Sequence, residues 1–300
     1  MDSEFRWGID LGGTKIECAV LDKNNEVLIR KRVPTGAENG YTHILNQIRT
    51  LTGSVASELG VKPTRIGFAT PGTLVPATQR MKNCNTVCMN GQPMKADLEA
   101  TLELPVSIAN DANCFALAET LMGAGRRFPD AELVFGVIMG TGVGGGLVVN
   151  KKVINGHQGL GGEWGHNILE ENGDPCYCGK RGCVEKVISG VGLENHYEKL
   201  TGNRISLREI AARKEAGNDP AAEATIERLL EYYGRAISTL VNVLDPDLII
   251  IGGGVGNIDL LYTEGSERIK KYVFNEGQLS TPVCKPVLGD SAGVFGAALL

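Results

Sequence analysis

Three cysteines and one histidine in the middle of the chain have the residue types and spacing of a metal site. Cys176, Cys178 and Cys183 fall within eight residues, and His166 precedes the first of them by ten. One imidazole and three thiolates match a closed tetrahedral Zn²⁺ site, which leaves no open position for a catalytic water. We therefore expect a structural zinc, and a cluster of buried, reduced cysteines is the weaker alternative.

A glycine turn near the start of the chain, DLGGTK, has groups that suit a phosphate and a hydrated cation. Such a turn between two strands directs successive backbone N–H groups at one point, where phosphate oxygens can bind. A hydroxyl, an ammonium group and a carboxylate for Mg²⁺ accompany it. The candidate ligands are Asp10, Gly12, Gly13, Thr14 and Lys15.

Two further glycine clusters extend this pattern. Gly140, Thr141 and Gly142 open a turn that lacks the Gly-Lys-Ser/Thr ending of a P-loop and precedes no helix, so it is not a Walker site. The run Gly252–Gly254 follows a buried strand and could admit a flat ring against bare backbone. Each cluster alone could be a simple hairpin, but three together favour nucleotide binding.

Acidic residues near these motifs are candidates for catalysis and for sugar binding. Asp111 lies where a predicted strand ends and a helix begins, so it is either part of a helix cap or a general base for phosphoryl transfer. This segment alone does not decide between the two. Glu163 and Glu185 flank the metal cluster and could accept hydrogen bonds from sugar hydroxyls. Their spacing alone favours ordinary surface ion pairs.

The predicted elements indicate a mixed α/β chain with an internal repeat. Residues 5–33 have the pattern of three strands in an antiparallel meander, and Tyr41–Leu59 has one apolar helical stripe. A long helix is predicted between Asp219 and Asp245. Residues 9–21 and 137–149 both have a strand, a glycine turn and a strand, as in a duplicated domain whose halves meet at a cleft.

Bulk properties limit the possible classes of function. A chain of 300 residues predicts two domains, and a net charge of −5 argues against nucleic-acid binding. No apolar run is long enough to cross a membrane, and the start has no signal-peptide pattern, so we expect a cytoplasmic protein. In a reducing compartment the five scattered cysteines are expected to be packing residues; they are Cys18, Cys84, Cys88, Cys114 and Cys284.

Taken together and in order, the motifs resemble the ROK sugar kinases along essentially the whole chain. The most specific pair is GEWGH at 162–166 with CYCGKRGCVE at 176–185. IDLGGTK at 9–15, NDANCFALAE at 110–119, GTGVGGG at 140–146 and DPDLIIIGGG at 245–254 agree in order and spacing. The resemblance implies the α/β actin-like ATPase (ribonuclease H-like) fold, with two lobes around a nucleotide cleft.

The resemblance also implies lobe boundaries, cofactors and residue roles. One lobe would span residues 1–110 with the C-terminal helix 290–300, and the other 111–289 with the zinc loop 162–185. ATP with Mg²⁺ would be the phosphoryl donor, and Zn²⁺ would be a structural metal. The protein would be a homodimer. Asp111 would be the catalytic base, and His166 would bind both zinc and sugar. The other sugar contacts would be Gly72, Asn83, Asn85, Asn110, Glu163 and Glu185. Gly140, Thr141 and Gly142 would contact the phosphates of ATP. Gly253 and Gly254 would lie beside the adenosine.

Within the family, three stretches look most similar to bacterial fructokinases that also accept mannose. They are KNCNTVCMNGQP at 82–93, GEWGHN with PCYCGKRGC, and the tail that ends in GDSAGVFGAA. We therefore expect phosphorylation of the C6 hydroxyl of fructose or mannose. The chain departs from those kinases at Val87–Met89, where they tend to carry a tryptophan.

Other functions share most of these motifs. A glucokinase or an N-acetylglucosamine kinase is the alternative within the enzymes. A sugar-responsive transcription regulator would need a DNA-binding domain before the strand at Phe5, and we expect none. A scaffold ATPase of the same fold would not need the metal loop, and a polyphosphate donor is not excluded by any motif.

Overall fold

The computed structural model describes residues 4–300 and divides them into two units. Unit 1 contains residues 4–127, 146–161 and 287–300, and unit 2 contains residues 128–145 and 162–286. The twelve strands are β1 Phe5–Leu11, β2 Lys15–Asp22, β3 Val27–Pro34, β4 Ile66–Thr70, β5 Thr73–Leu74, β6 Met81–Lys82, β7 Val106–Asn110, β8 Leu133–Met139, β9 Val143–Val149, β10 Lys152–Val153, β11 Leu248–Gly252 and β12 Val283–Cys284 within that described part.

Nine α-helices accompany these strands in residues 4–300. They are α1 Tyr41–Leu59, α2 Met94–Leu102, α3 Asp111–Leu121, α4 Val184–Ile188, α5 Gly190–Thr201, α6 Leu207–Ala216, α7 Pro220–Leu244, α8 Glu264–Lys270 and α9 Ala292–Ala298. None of these helices is long and apolar enough to cross a membrane.

The sheet of unit 1 has the order β3-β2-β1-β4-β7. The first three strands pair antiparallel, which confirms the predicted meander, and β4 and β7 run parallel to β1. Strand β2, second from the edge, is buried along nearly its whole length, whereas β3 alternates between exposed and half-buried positions because it forms the sheet edge. Helix α1 buries Ile44, Ile48, Leu51 and Val55, as its apolar stripe predicted.

Helix α3 belongs to unit 1, although the sequence placed the lobe boundary before it, at residue 110. Every residue from Ala112 to Thr120 is buried, so this helix is enclosed on all sides. Helix α9 packs so closely on α3 that a Cβ at Gly296 would lie 1.8 Å from the Cys114 carbonyl oxygen. This packing explains why the unit ends after Arg127 and includes the C-terminal helix.

The second sheet has the order β10-β9-β8-β11-β12. Strand β11 runs parallel to β8 and to β12, and β10 pairs antiparallel with β9. Both sheets therefore contain a meander followed by two parallel strands, which is the topology expected of a duplication. The unit boundary crosses β9 after Gly145.

The long helix α7 begins and ends where the sequence indicated. The Asp219 side chain accepts hydrogen bonds from the backbone N–H groups of Ala221 and Ala222, both at 3.0 Å, and Pro220 occupies the first turn. Asp245 ends the helix in the left-handed conformation with φ 44°. Helices α5, α6 and α8, by contrast, had no sequence prediction.

Glu119 is a fully buried carboxylate that fixes the segments near both unit-1 boundaries. Its oxygens accept hydrogen bonds from the backbone N–H groups of Ala124 (2.9 Å), Val287 (2.9 Å) and Leu288 (2.7 Å). Buried amide donors without a partner are costly, so this side chain stabilises the turn after α3 and the segment before α9 together.

Replacing Glu119 should therefore destabilise the protein. Glu119→Ala leaves three backbone donors without this partner, that of buried Ala124 among them, and is expected to cost about 3 kcal/mol, whereas Glu119→Gln keeps one carbonyl oxygen and should cost less. Urea denaturation would measure both variants, with Glu38→Ala, at an exposed position in the same unit, as the control. Equal stability of Glu119→Ala and the control would contradict this role.

Candidate functional site

Three parallel strands of unit 1 end at one edge of their sheet, and most of the predicted residues of this unit follow those ends. Asp10 lies near the end of β1, Gly72 follows β4, and Asn110 ends β7. Register pairs Asp10 with Ala69 and Thr70 with Asn110, so these positions are neighbours across the sheet. The carboxyl edge of parallel strands is where open α/β sheets bind ligands.

The first glycine turn is closed by hydrogen bonds that the sequence did not reveal. The N–H of Gly12 donates to the Lys15 carbonyl at 3.0 Å, and the Thr35 hydroxyl donates to the Gly12 carbonyl at 2.7 Å. Thr35 also donates its own N–H to the Thr14 carbonyl at 3.0 Å. The turn is thus fixed from the end of β3, while Gly13 and Thr14 remain exposed for a ligand.

Asp10 lies among like charges. The pKa of its carboxyl is raised from 3.8 to about 6, chiefly by burial and then by the nearby carboxylates of Asp111 and Glu17, while Lys15 and Arg32 act in the opposite direction. Glu17 is itself buried and is paired with Arg32 at 2.8 Å. A divalent cation at Asp10 would offset this repulsion, so the carboxylates fit the predicted Mg²⁺.

Asn110 and Asp111 share the start of α3. The N–H of Ala112 donates to the Asn110 side-chain oxygen at 2.8 Å and to one Asp111 carboxylate oxygen at 2.7 Å. Asn110 therefore serves as the N-cap, which was the alternative considered for this segment. The N-cap role thus belongs to Asn110 and not to Asp111, which is exposed.

Gly72 is buried where a side chain would not fit. A Cβ there would lie 2.5 Å from the Cys84 sulfur and from the Lys82 carbonyl oxygen. Asn83 and Asn85 are exposed beside this contact, in the loop that follows β6. The sequence missed Asn90, whose side chain accepts from the Cys84 N–H at 2.8 Å and donates to the Cys84 carbonyl at 3.0 Å, and so holds that loop.

In unit 2, the second glycine turn lies against Glu185. A Cβ at Gly142 would lie 2.3 Å from a Glu185 carboxylate oxygen, and the Val143 N–H donates to the same oxygen at 3.4 Å. The Gly190 N–H donates to the Gly140 carbonyl at 2.8 Å. The structure therefore brings one predicted sugar contact onto the predicted phosphate turn, rather than into a surface ion pair.

Trp164 positions the segment that carries Glu163 and His166. Its indole N–H donates to the Gly144 carbonyl at 3.0 Å, and its ring packs edge to face on Phe135 with centroids 6.3 Å apart. Gly145 leaves room for the ring, since a Cβ there would lie 2.6 Å from it. Glu163 and His166, on either side of Trp164, are half-buried.

The four predicted metal ligands meet in one cluster. The ligand atoms of His166, Cys176, Cys178 and Cys183 all lie within 4.8 Å of one another. His166 Nδ1 is 3.6 Å from the Cys176 sulfur, and the Cys178 and Cys183 sulfurs are 3.6 Å apart. Tetrahedral zinc with bonds of about 2.0–2.3 Å needs ligand separations of roughly 3.5–3.8 Å, so the residues fit this metal.

Local glycines and one glutamate hold the two arms of this loop together. Gly179 and Gly182 have φ of 89° and 66°, which favours glycine, and the N–H groups of Leu169 and Glu170 both donate to the Gly182 carbonyl. The Glu170 carboxylate accepts from Arg228 and Tyr232 of α7, at 2.9 and 3.1 Å. Glu170 thus joins the His166 arm to the cysteine arm and both to the helix.

The third glycine cluster borders a cavity of about 660 Å³. Gly253 has φ 82° and lies against the end of β8, where a Cβ would be 2.3 Å from the Met139 carbonyl oxygen. A Cβ at Gly254 would meet nothing within 4 Å, because this residue faces the cavity. Helix α6 supplies Leu207 and Arg208 to the opposite wall.

Residues 6–300 match the model of the ROK family. The chain belongs to the ROK family. An N-acetyl-D-glucosamine kinase from Yersinia pseudotuberculosis is 37% identical over 304 aligned residues, with 98% of each chain covered.

Solved structures of the family have the same fold as this ROK chain. A ROK hexokinase from Thermus thermophilus superposes with a TM-score of 0.88 at 32% identity, covering 98% of this chain and 97% of that one. A ROK family glucokinase from Streptomyces griseus, solved with glucose and AMPPNP, superposes with a TM-score of 0.77 at 26% identity over 98% of each chain. The mixed α/β architecture expected from the motifs is therefore that of the family.

Loss of one metal ligand should remove zinc from this ROK protein and destabilise it. Cys178 is exposed, so Cys178→Ser removes a thiolate with little change in packing. Elemental analysis should show zinc lost, and the melting temperature should fall by several degrees because metal binding contributes folding free energy. Cys88→Ser, outside the cluster, is the matched control. Full zinc content with unchanged melting in Cys178→Ser would refute the site.

The raised pKa of Asp10 predicts a pH-dependent stability. The pKa of Asp10 in the folded state, about 6, exceeds its value in the unfolded state. The stabilisation of the folded state that follows from this difference is fully present below about pH 4 and is lost as pH rises through 6. Asp10→Asn should therefore be more stable than wild type at pH 7, by up to about 3 kcal/mol. Melting curves from pH 4 to 8 without magnesium would test this, with Asp130→Asn as control. Parallel curves for wild type and Asp10→Asn would contradict it.

Proposed function

We propose that the chain is an ATP-dependent sugar kinase that phosphorylates the C6 hydroxyl of an N-acetylhexosamine or hexose. The observation that carries the proposal is similarity along 98% of its length to N-acetyl-D-glucosamine kinases, at 34–37% identity. The glycine turns, the carboxylates and the metal cluster described above supply chemistry that such a reaction needs.

Asp111 is the proposed general base. It accepts the proton of the sugar hydroxyl as the oxygen attacks the γ-phosphorus, so the O–H bond breaks as the new P–O bond forms. The location of Asp111 at the N-terminus of α3, beside the cap residue Asn110, fixes its backbone.

The proposed phosphate and cation contacts come from both glycine turns. Gly13 and Thr14 offer exposed backbone donors, and Lys15 offers an ammonium group. Gly12 lies beside the phosphate in this proposal, and its N–H closes the turn by donating to the Lys15 carbonyl. The bound Mg²⁺·ATP supplies the phosphoryl group and neutralises charge that develops on it. Asp10 is the proposed cation ligand. Gly140, Thr141 and Gly142 are the proposed second phosphate turn.

The adenosine contact is proposed at Gly253 and Gly254. The cavity beside Gly254 has a volume of about 660 Å³, which is within the size range of small-molecule pockets. Apolar and charged side chains line it. Bare glycine backbone allows a planar base to approach closely.

The sugar contacts are proposed at residues that the metal loop supports, with others around Gly72. His166 and Cys183 bind zinc in this proposal, and their neighbours Glu163 and Glu185 are therefore fixed by a structural metal. Carboxylates and imidazoles suit sugar recognition because each accepts or donates to hydroxyls. The complete proposed set is Gly72, Asn83, Asn85, Asn110, Asp111, Glu163, His166 and Glu185.

N-acetylglucosamine is the leading acceptor, with fructose and mannose second. The fructose preference expected from the loop motifs finds no support among the relatives at 34–37% identity, which are N-acetyl-D-glucosamine kinases. The departure at Val87–Met89 from the fructokinase pattern agrees with this order. The three-stretch similarity to fructokinases keeps fructose and mannose in the test.

A coupled assay of ADP release tests the function directly. Zinc-loaded protein with Mg²⁺·ATP would be supplied with N-acetylglucosamine, glucose, mannose or fructose, against a blank without sugar. Turnover is expected with N-acetylglucosamine first. A preference for fructose or mannose would restore the motif-based expectation. Sugar binding without turnover would indicate sensing, and neither binding nor turnover would refute the proposal.

Asp111→Asn should abolish turnover in the same assay while leaving folding and sugar binding largely intact. The change keeps the size of the side chain and its hydrogen-bond acceptor for the Ala112 N–H, but removes the base. A loss of at least about 100-fold in kcat is expected. Asp130→Asn, at an exposed aspartate of unit 2, is the control. Full activity of Asp111→Asn would exclude this base.

A further inference from the structure

The two ring nitrogens of His166 face different partners. Nδ1 lies 3.6 Å from the Cys176 sulfur, inside the metal cluster. Nε2 lies 3.0 Å from the hydroxyl oxygen of Tyr177, and the two rings meet edge to face with centroids 5.2 Å apart. The cluster therefore uses one nitrogen, and Tyr177 covers the other.

This division fixes the direction of the hydrogen bond once a metal is bound. A neutral imidazole that ligates zinc through Nδ1 carries its proton on Nε2. Nε2–H is then the donor, and the Tyr177 hydroxyl oxygen accepts. A histidine in this state has a single N–H, so it can satisfy only one acceptor well at a time.

Tyr177 can leave this position at small cost. Its side chain is 79% exposed, and it follows Cys176 on a loop rather than packing into a core. Net stabilisation by a hydrogen bond of this kind is modest, about 0.5–1.5 kcal/mol. The contact is therefore strong enough to be populated and weak enough to be exchanged.

We propose that Tyr177 is a displaceable cap on His166 Nε2, and that the acceptor sugar replaces its hydroxyl there. The inference rests on the proposed function, in which His166 contacts the sugar, and it assigns that contact to Nε2 because Nδ1 faces the cysteines. Sugar and Tyr177 then compete for one N–H, so the cap lowers the apparent affinity for sugar by the fraction of molecules that are capped. Tyr177 is thus a positioning residue that sets sugar affinity and does not take part in the chemical step.

Removing only the hydroxyl tests the competition. In Tyr177→Phe the dissociation constant for sugar should fall about twofold to tenfold, the equivalent of one such hydrogen bond. The KM for sugar should fall with it, while kcat and the KM for ATP stay within about twofold. Tyr272→Phe, which removes a phenol hydroxyl elsewhere in unit 2, is the matched control. Calorimetric titration of zinc-loaded protein with N-acetylglucosamine, glucose, mannose and fructose would measure the constants.

Zinc release provides a readout that is independent of activity. Loss of a hydrogen-bond partner from a metal-bound histidine commonly weakens metal binding by about 10-fold to 100-fold. Tyr177→Phe should therefore release zinc faster than wild type to a chromogenic chelator when no sugar is present. Saturating sugar should slow that release towards the wild-type rate, because the sugar then supplies the missing acceptor. Tyr272→Phe should behave as wild type in both conditions.

The outcomes separate this inference from the proposed function. If wild type binds a sugar but Tyr177→Phe binds it equally or more weakly, the cap is excluded and the kinase proposal stands. Unchanged zinc release in Tyr177→Phe, or faster release that sugar does not slow, likewise overturns the cap. If wild type binds none of the four sugars, both the sugar-kinase proposal and the cap are overturned.

Discussion

The shape of the segment that carries Glu163, His166 and Glu185 depends on the meeting of one histidine with three cysteines. Between Lys151 and Gly182 few side chains are buried, so the segment has little apolar core of its own. Short segments of this kind usually need a metal or a disulfide to hold one conformation. Here the ligand cluster joins the two arms, and Trp164 and Glu170 attach them to β9 and α7. Each attachment is local to unit 2, so one metal can order several polar side chains at once.

The two similar sheets support different chemistry at their first turns. In the alignment of residues 9–21 with 137–149, Asp10 corresponds to Ile138 and Lys15 to Val143. The second turn thus has no charged residue of its own. Its carboxylate comes instead from Glu185, the last residue of the metal loop, which lies against Gly142. Duplication explains the shared strand order, whereas the inserted loop explains how unit 2 acquired polar groups at an otherwise neutral turn.

Local pattern was sufficient to predict the elements with strong periodicity or clear end signals. The meander of β1 to β3, the bounds of α1 and the cap of α7 all follow from residues close in sequence. The cluster of metal ligands was also predictable, because its spacing is specific. The lobe boundary was not, because α3 joins unit 1 through packing with α9, almost 180 residues away in sequence. Thr35, Asn90 and Tyr177 were missed since their roles appear only once the fold brings their partners close.

Unit 1 retains a concentration of negative charge that does not favour its folding. Burial raises the cost of ionising Asp10 most, and the nearby carboxylates of Asp111 and Glu17 add to that cost. Arg30 and Arg32 pair with Glu17 at 3.1 and 2.8 Å, so one of the three carboxylates is compensated by the protein itself. Asp10 forms no comparable arginine pair among the ion pairs found in residues 4–300. A cation bound between substrate phosphates and Asp10 would neutralise the charge that no arginine neutralises. The unbound protein is less stable for keeping this charge, as is common where residues are retained for function.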